Sequence, residues 1–467
     1  MPPELSAASA QGEPLETRAH QLARSQRQVT ITTTQPKLPA QRQSQKRFLH
    51  QAYRAFTHEA EKDALPASHV AEWLLDNFHI VQRVLRQIAE DMPTAYYHEL
   101  PKLTTGPFAG YPRVYAIAHA ALQADAAHID VDRLQRFVQA YQRVTPLQMG
   151  ELWALPVMLR VSVIEVLVHV VAQSLETPAP ETAVAPAIIV SDTHTAADLT
   201  AASILSLRAL DAQDWKEFFE AANLVDQALA QDPAQVYGRM DFETRDRYRK
   251  AVEKLAQATA QPEIEVAETA VALAQEARSA KANDQEAPRR QSHVGYYLID
   301  SGRRQLEDSL DYAPAAPIRL RRWCLHERPA FTYLSSIFLL TLLLLLIPLL
   351  YARFAQATLP QMTLAILLAF IPATAVAVSV VNWLVAWLAP PRLLPKLDLS
   401  DGVPAAYRTM VVIPALLSHV DEVESLLQQL EQHYLRNSDP HVRFALLSDF
   451  TDGAEQRVDG DDQLLLQ

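Results

Sequence analysis

The stretch FTYLSSIFLLTLLLLLIPLLYA, residues 331–352, and the uncharged residues 359–388 that follow it decide the architecture of this chain. The first stretch holds no charge over 22 residues, enough for a helix to cross a hydrocarbon core of ~30 Å. The second has Pro360 near its start and Pro372 inside, so it predicts a span that tilts or kinks. A pair of buried core helices is the other reading of such segments. The unbroken leucines 342–346 argue against it, because no soluble helix needs such a run. Arg319, Arg321, Arg322 and Arg328 precede the hairpin, Arg392 and Lys396 follow it, and the turn carries only Arg353. The positive-inside rule then places both flanks in the cytoplasm and the turn outside. Trp383 and Trp387, near the second exit, suit an interfacial belt.

Downstream, TMVVIPAL (residues 409–416) is a short valine-rich run that suits a buried parallel strand. Ser418 and Asp421 offer a helix start, and Val423, Leu426, Leu427, Leu430 and Tyr434 make one apolar face. Residues 437–440 read as a turn, and VRFALL (residues 442–447) as a second strand ending at Ser448 and Asp449. This is one strand–helix–strand unit. Ligands of open parallel sheets sit beyond the carboxyl ends of the strands, where Asp449 and a loop at residues 415–419 are expected. A carboxylate there accepts hydrogen bonds from a ribose or a uracil ring. The alternative is that Asp449 only caps the next turn.

Upstream, residues 1–46 are rich in Ala, Gln, Pro, Thr and Ser, hold no apolar core segment, and read as a disordered tail without a signal peptide. Residues 47–175 read as helices. VAEWLLDNFHIVQRVLRQI (residues 70–88) repeats its apolar positions at helical spacing, and residues 132–141 and 152–171 continue the pattern. Residues 176–200 read as a linker and residues 201–318 as a second helical region. Tyr96, Tyr97, His98 and Glu99, then Tyr111 with Arg113, then Glu151 with Trp153, are polar clusters. They read most simply as helix caps, interhelical ion pairs and aromatic core. The run Asp241, Arg245, Asp246, Arg247, Tyr248, Arg249 reads as a solvated helix start with paired charges.

With 42 Lys and Arg against 54 Asp and Glu, the net charge of −12 argues against a general nucleic-acid binder. Ten glycines leave little for Gly-rich phosphate loops. Cys324, the single cysteine, allows neither an internal disulfide nor a cysteine metal site, and fits a reducing compartment.

Residues 409–453, TMVVIPALLSHVDEVESLLQQLEQHYLRNSDPHVRFALLSDFTDG, resemble the start of the glycosyltransferase domain of the cyclic β-1,2-glucan synthases. AEWLLDNFHIVQ (71–82), YYHELPKL (96–103), GPFAGYPRVYAIAHA (106–120), FVQAYQRVTPLQMGELWALP (137–156) and MDFETRDRYR (240–249) resemble the region upstream of it in that family. GYYLIDSGRRQLE (295–307) and PPRLLPKLDLSDGVP (390–404) flank the hairpin in the family's order. The resemblance implies a bacterial inner-membrane enzyme that transfers glucose from cytoplasmic UDP-glucose onto a nascent β-1,2-glucan. It also implies a GT-A transferase domain using a divalent metal, Mg or Mn.

The fold class expected is therefore mainly α. It comprises a helical cytoplasmic N-terminal region, a transmembrane helical hairpin at 331–388, and the first βαβ unit of an incomplete GT-A-like α/β domain at 409–467. Only Asp449, with Pro414, Ala415, Leu416 and Leu417, carries over as a donor-binding position. The resemblance puts the metal-binding carboxylates and the catalytic base beyond Gln467, so no catalytic and no metal-ligating residue is expected in this chain. Asp461 and Asp462 can be mistaken for a metal motif, but they read more simply as the cap of a following helix. The isolated chain is expected to be inactive, with both termini cytoplasmic and the lipid bilayer as partner. The alternative is a non-catalytic membrane anchor or assembly module, complemented by a separately encoded C-terminal portion.

Overall fold

The computed structural model describes residues 15–31, 37–61, 68–124, 127–180, 195–280, 290–324, 328–389, 391, 393–417, 419–450 and 452. It is mainly helical, as the sequence implies, and divides into two compact units. The first comprises Met1–Tyr237 with Tyr248–Tyr312, and the second Gly238–Arg247 with Ala313–Gln467.

The first unit runs α1 (Leu15–Ser25), β1 (Val29–Thr30), α2 (Lys37–Glu61), α3 (His69–Asp91), α4 (Thr94–Glu99), β2 (Lys102–Leu103), α5 (Arg113–Ala124) and α6 (Val131–Gln142). It continues with α7 (Met149–Ser174), α8 (Ala196–Ala212), α9 (Trp215–Ala222) and α10 (Leu224–Leu229). Then come α11 (Phe242–Thr259), whose first turns belong to the second unit, α12 (Glu263–Ala280), α13 (Val294–Ile299) and α14 (Arg303–Ser309). Helix α3 starts where Ser68 accepts the Ala71 N–H at 3.3 Å, and it buries Leu74, Phe78, Val81, Val84 and Ile88 along one face. The centre of the unit is α7. Leu155, Leu159, Val163, Leu167 and Val171 are all fully buried, and α2, α3, α5, α8 and α9 pack around it.

The disordered tail expected at residues 1–46 is corrected in part. Helix α1 packs on α6 with Ala19 and Ala23 fully buried. Thr145 Oγ1 donates to the Ala23 carbonyl at 2.9 Å, Tyr141 Oη donates to Gln26 Oε1 at 3.0 Å, and β1 pairs antiparallel with β2. The residues of α1 that are fully buried are small alanines, which is why composition pointed to a tail. Helix α2 likewise begins at Lys37; residues 1–14 and 32–36 lie outside the described residues. Of the expected linker, residues 181–194 lie outside the described residues. Its last positions begin α8, which Thr195 and Asp198 close with a capping box. The two helical regions read at 47–175 and 201–318 contribute to the same unit as far as Tyr312, except for Gly238–Arg247.

The second unit holds α15 (Ala316–Arg322), α16 (Pro329–Phe354), α17 (Leu359–Leu388), β3 (Thr409–Leu417), α18 (Val420–Arg436) and β4 (Val442–Phe450). Helices α16 and α17 form the hairpin and cover both apolar stretches. Thr358 and Gln361 cap the second helix, with the Thr358 N–H donating to Gln361 Oε1 at 2.9 Å. The two helices meet along Thr341 and Ala352 on one side and Ala377 and Val381 on the other, where small side chains permit a close crossing. Tyr333 Oη donates to Asn382 Oδ1 at 2.9 Å across the pair. Thr341, Thr374 and Ser379 return their hydroxyls to carbonyls four residues back, so none of these polar groups needs water.

Residues 393–398, beyond the hairpin, are clasped by Gly238–Arg247. The Asp398 N–H donates to the Arg239 carbonyl at 2.8 Å and the Asp241 N–H to the Lys396 carbonyl at 3.1 Å. Arg247 donates to the Leu393 and Leu394 carbonyls at 2.8 and 3.1 Å. Asp241 caps α11 by accepting the Thr244 N–H at 2.8 Å. The sequence reading of a solvated charged run therefore holds for Asp241 and fails for Arg249. That guanidinium is 1% exposed and donates to Asp226 Oδ1 at 2.7 Å.

Candidate functional site

Strands β3 and β4 pair in parallel over their whole length, with Thr409 opposite Val442 and Leu417 opposite Phe450. Helix α18 crosses between them. Its acidic first turn, Asp421 and Glu422, and its last turn with His433 and Arg436 both complement the helix dipole. The entry to β3 is fixed by Asp439, whose carboxylate accepts the N–H groups of Val403 and His441, each at 2.7 Å. These two bonds hold the Asp439 carboxyl below the usual carboxylate range. Gly402, at φ 99°, turns the chain beside Asp439, a conformation that favours glycine.

The carried-over residues sit at the carboxyl ends of the two strands, but in a different setting from the one expected. Pro414, Ala415, Leu416 and Leu417 are strand residues of β3, not a loop, and Ser448 and Asp449 continue β4. Parallel pairing supplies hydrogen bonds that extend both strands past the apolar runs that marked them in the sequence. Side chains alternate between faces along a strand. Ile413, Ala415 and Leu417 turn with Phe444, Leu446 and Phe450 toward α18, where Leu417 and Val423 are buried and His433 stacks on Phe444. Pro414, Leu416, Leu447 and Asp449 share the opposite face, with Leu416 and Leu447 at 59% and 65% exposure. Leu416 and Asp449 are register partners, so the structure brings these two together and sets Ala415 and Leu417 on the other face. Asp449 Oδ1 accepts the N–H of Phe450 at 2.9 Å and is otherwise open to solvent. Asp461 and Asp462 lie outside the described residues.

Among the described residues, no three His, Cys, Asp or Glu side chains converge, so they offer no ligand set for a divalent ion.

The polar clusters of the helical unit resolve into structural pairs. Arg113 and Glu151, from two separate clusters, form a buried bidentate ion pair, with Nε to Oε1 at 2.9 Å. The same Glu151 accepts the Gln148 N–H at 2.9 Å and so caps α7. Tyr96 donates to the Gly150 carbonyl at 2.6 Å. One cluster escaped the sequence reading. Glu165, buried in α7, accepts from Tyr115 Oη at 2.7 and 2.8 Å and lies 2.9 Å from His119 Nε2. Burial first, and then the Glu165 carboxylate, push the Tyr115 phenol up. Its signal was present: a carboxylate set in the apolar run at residues 161–168 of α7, and Tyr and His four residues apart on α5. Glu263 receives the Met149 N–H at 2.9 Å, a second cap on α7. Burial, with help from Glu253 and Glu151, raises its carboxyl to about 7 against the pull of that bond.

No family model matches the chain. It is similar to cyclic beta-(1,2)-glucan synthase NdvB of Rhizobium meliloti (strain 1021), at 28% identity over 493 residues. That likeness takes in 91% of this chain but 17% of the relative, so the chain spans about a sixth of the length of the protein it matches.

Proposed function

We propose, from the premise that this chain belongs with the cyclic β-1,2-glucan synthases, that it is the membrane-anchored N-terminal part of a glucosyltransferase making that glucan from UDP-glucose. The observation that carries the reading is the likeness over 91% of the chain, which takes in the helical unit, the hairpin and the parallel unit together. In this reading α16 and α17 anchor the enzyme in a bacterial inner membrane with both flanks cytoplasmic, on the side where UDP-glucose is found. The β3–α18–β4 unit opens a GT-A-like domain. Asp449 accepts hydrogen bonds from the nucleoside of the donor, and Leu416, its register partner, gives the base an apolar floor. In this reading the divalent cation, the general base and the acceptor site are supplied by the remainder of such an enzyme.

Glucose incorporation from radiolabelled UDP-glucose tests the reading. Membranes holding only these residues are expected to incorporate none, and co-expression with the remaining sequence of the relative restores glucan synthesis. In the restored system, Asp449→Ala lowers kcat/KM for UDP-glucose by about 10- to 100-fold, the loss of a hydrogen bond to a charged acceptor. Incorporation by the chain alone refutes the division of labour. Absence of glucan from the combined system leaves the chain as an anchor or assembly module.

A further inference from the structure

We propose that α15 with the residues after it, 316–324, is an interfacial docking surface that binds the headgroups of anionic phospholipids. This rests on the reading of α16 and α17 as membrane spans. No residue of α15 is buried, and Leu320, Trp323 and Ile318 are 62%, 41% and 41% exposed. A seven-residue helix does not hold itself together in water, because nucleation outweighs the few hydrogen bonds it closes. Something must cover it. Ala316, Leu320 and Trp323 fall at i, i+4 and i+7 and make one narrow apolar stripe with Arg319 beside it, while Arg321 and Ile318 lie toward the opposite face.

The chain itself indicates the cover. α15 ends at Arg322 and α16 begins at Pro329, so the intervening residues reach at most about 20 Å. The stripe is tethered to the point where the chain enters the bilayer. An apolar stripe with a tryptophan suits the boundary of headgroups and acyl chains. Exposed arginines on the same helix present forked donors that match phosphate oxygens two at a time. Their charge, joined by exposed Arg328, complements an anionic surface rather than a zwitterionic one.

Cys324, the single cysteine, lies at the end of this segment and reports on it. The full chain, labelled there with an environment-sensitive fluorophore, is reconstituted in phosphatidylcholine vesicles with and without phosphatidylglycerol at about 30%. Lipids carrying a spin label near the headgroup are expected to quench the probe roughly twofold more in the anionic vesicles. The double variant Arg319→Gln, Arg321→Gln brings that quenching down to the neutral level. Equal quenching in both vesicles overturns the proposal. So does a probe shielded from aqueous iodide yet unquenched by lipid, which marks a protein neighbour as the cover. A mid-span probe, Leu343→Cys in a Cys324→Ser background, read with lipids spin-labelled near the acyl-chain end, separates the two readings. If it is unquenched by lipid, the membrane reading fails and the proposal with it; if it is quenched while Cys324 does not respond to anionic lipid, the proposal alone fails.

Discussion

Helix α7 and the hairpin helices α16 and α17 are all long and apolar enough to cross a membrane, yet 94% of the apolar window of α7 is buried inside the protein, against 11% for each hairpin helix. Length and hydropathy do not separate them. What does is the treatment of charge. Helix α7 carries Glu151, Arg160 and Glu165, and each meets a partner from another element: Arg113, Asp91 and Tyr115 with His119. The apolar stretches of α16 and α17 carry no charge and turn their leucines outward. A core helix can hold ionised groups when neighbouring helices supply partners, whereas a lipid-facing helix has none to offer.

The largest effect expected is at the buried pair. Glu151→Ala leaves the Arg113 guanidinium buried without its carboxylate and is expected to cost about 3–5 kcal/mol, read as a lower midpoint of chemical unfolding. A milder loss would place water at Arg113. Next comes one substitution made in both kinds of helix. Leu167, fully buried in α7, loses about 2–5 kcal/mol as Leu167→Ala, and Leu343→Ala in α16 loses less than about 0.5 kcal/mol in the same detergent-solubilised chain. Equal losses would make Leu343 a packed residue rather than a lipid-facing one.

The third test is pH. The Glu263 carboxyl is raised, to about 7, so the fold binds its proton more tightly than the unfolded chain does. Its contribution is complete below the unfolded carboxylate range and is lost as pH rises through about 7. Melting temperature should therefore fall across that window, by an amount equivalent to about 3 kcal/mol. Glu263→Gln should flatten the fall, and an unchanged slope would assign it to another group. The smallest effect is in the hairpin. Tyr333→Phe removes the bond to Asn382 and is expected to cost about 0.6 kcal/mol, a typical value for hydrogen bonds between membrane helices.

Much of the fold is legible locally. The uncharged stretches became α16 and α17, the 3.6-residue repeat of residues 70–88 became α3, and the valine-rich run with its partner became β3 and β4. The candidate site was legible in part. Asp449 stands at the carboxyl end of β4, but residues 414–417 belong to a strand and divide between its two faces. A strand's length depends on what pairs with it, and the pairing lies some thirty residues away in the chain, beyond the reach of a local pattern.

Amino-acid order sufficed for the hairpin, the helical periods and the strand–helix–strand unit, because each follows from interactions among near neighbours and from exclusion of charge. The folded packing alone assigned partners: Ala19 and Ala23 of α1 against α6, Arg113 to Glu151, Arg249 to Asp226, and Glu165 to Tyr115. Such pairs join residues distant in sequence, and a buried charge is stable only where the whole fold brings its counterpart within hydrogen-bond distance.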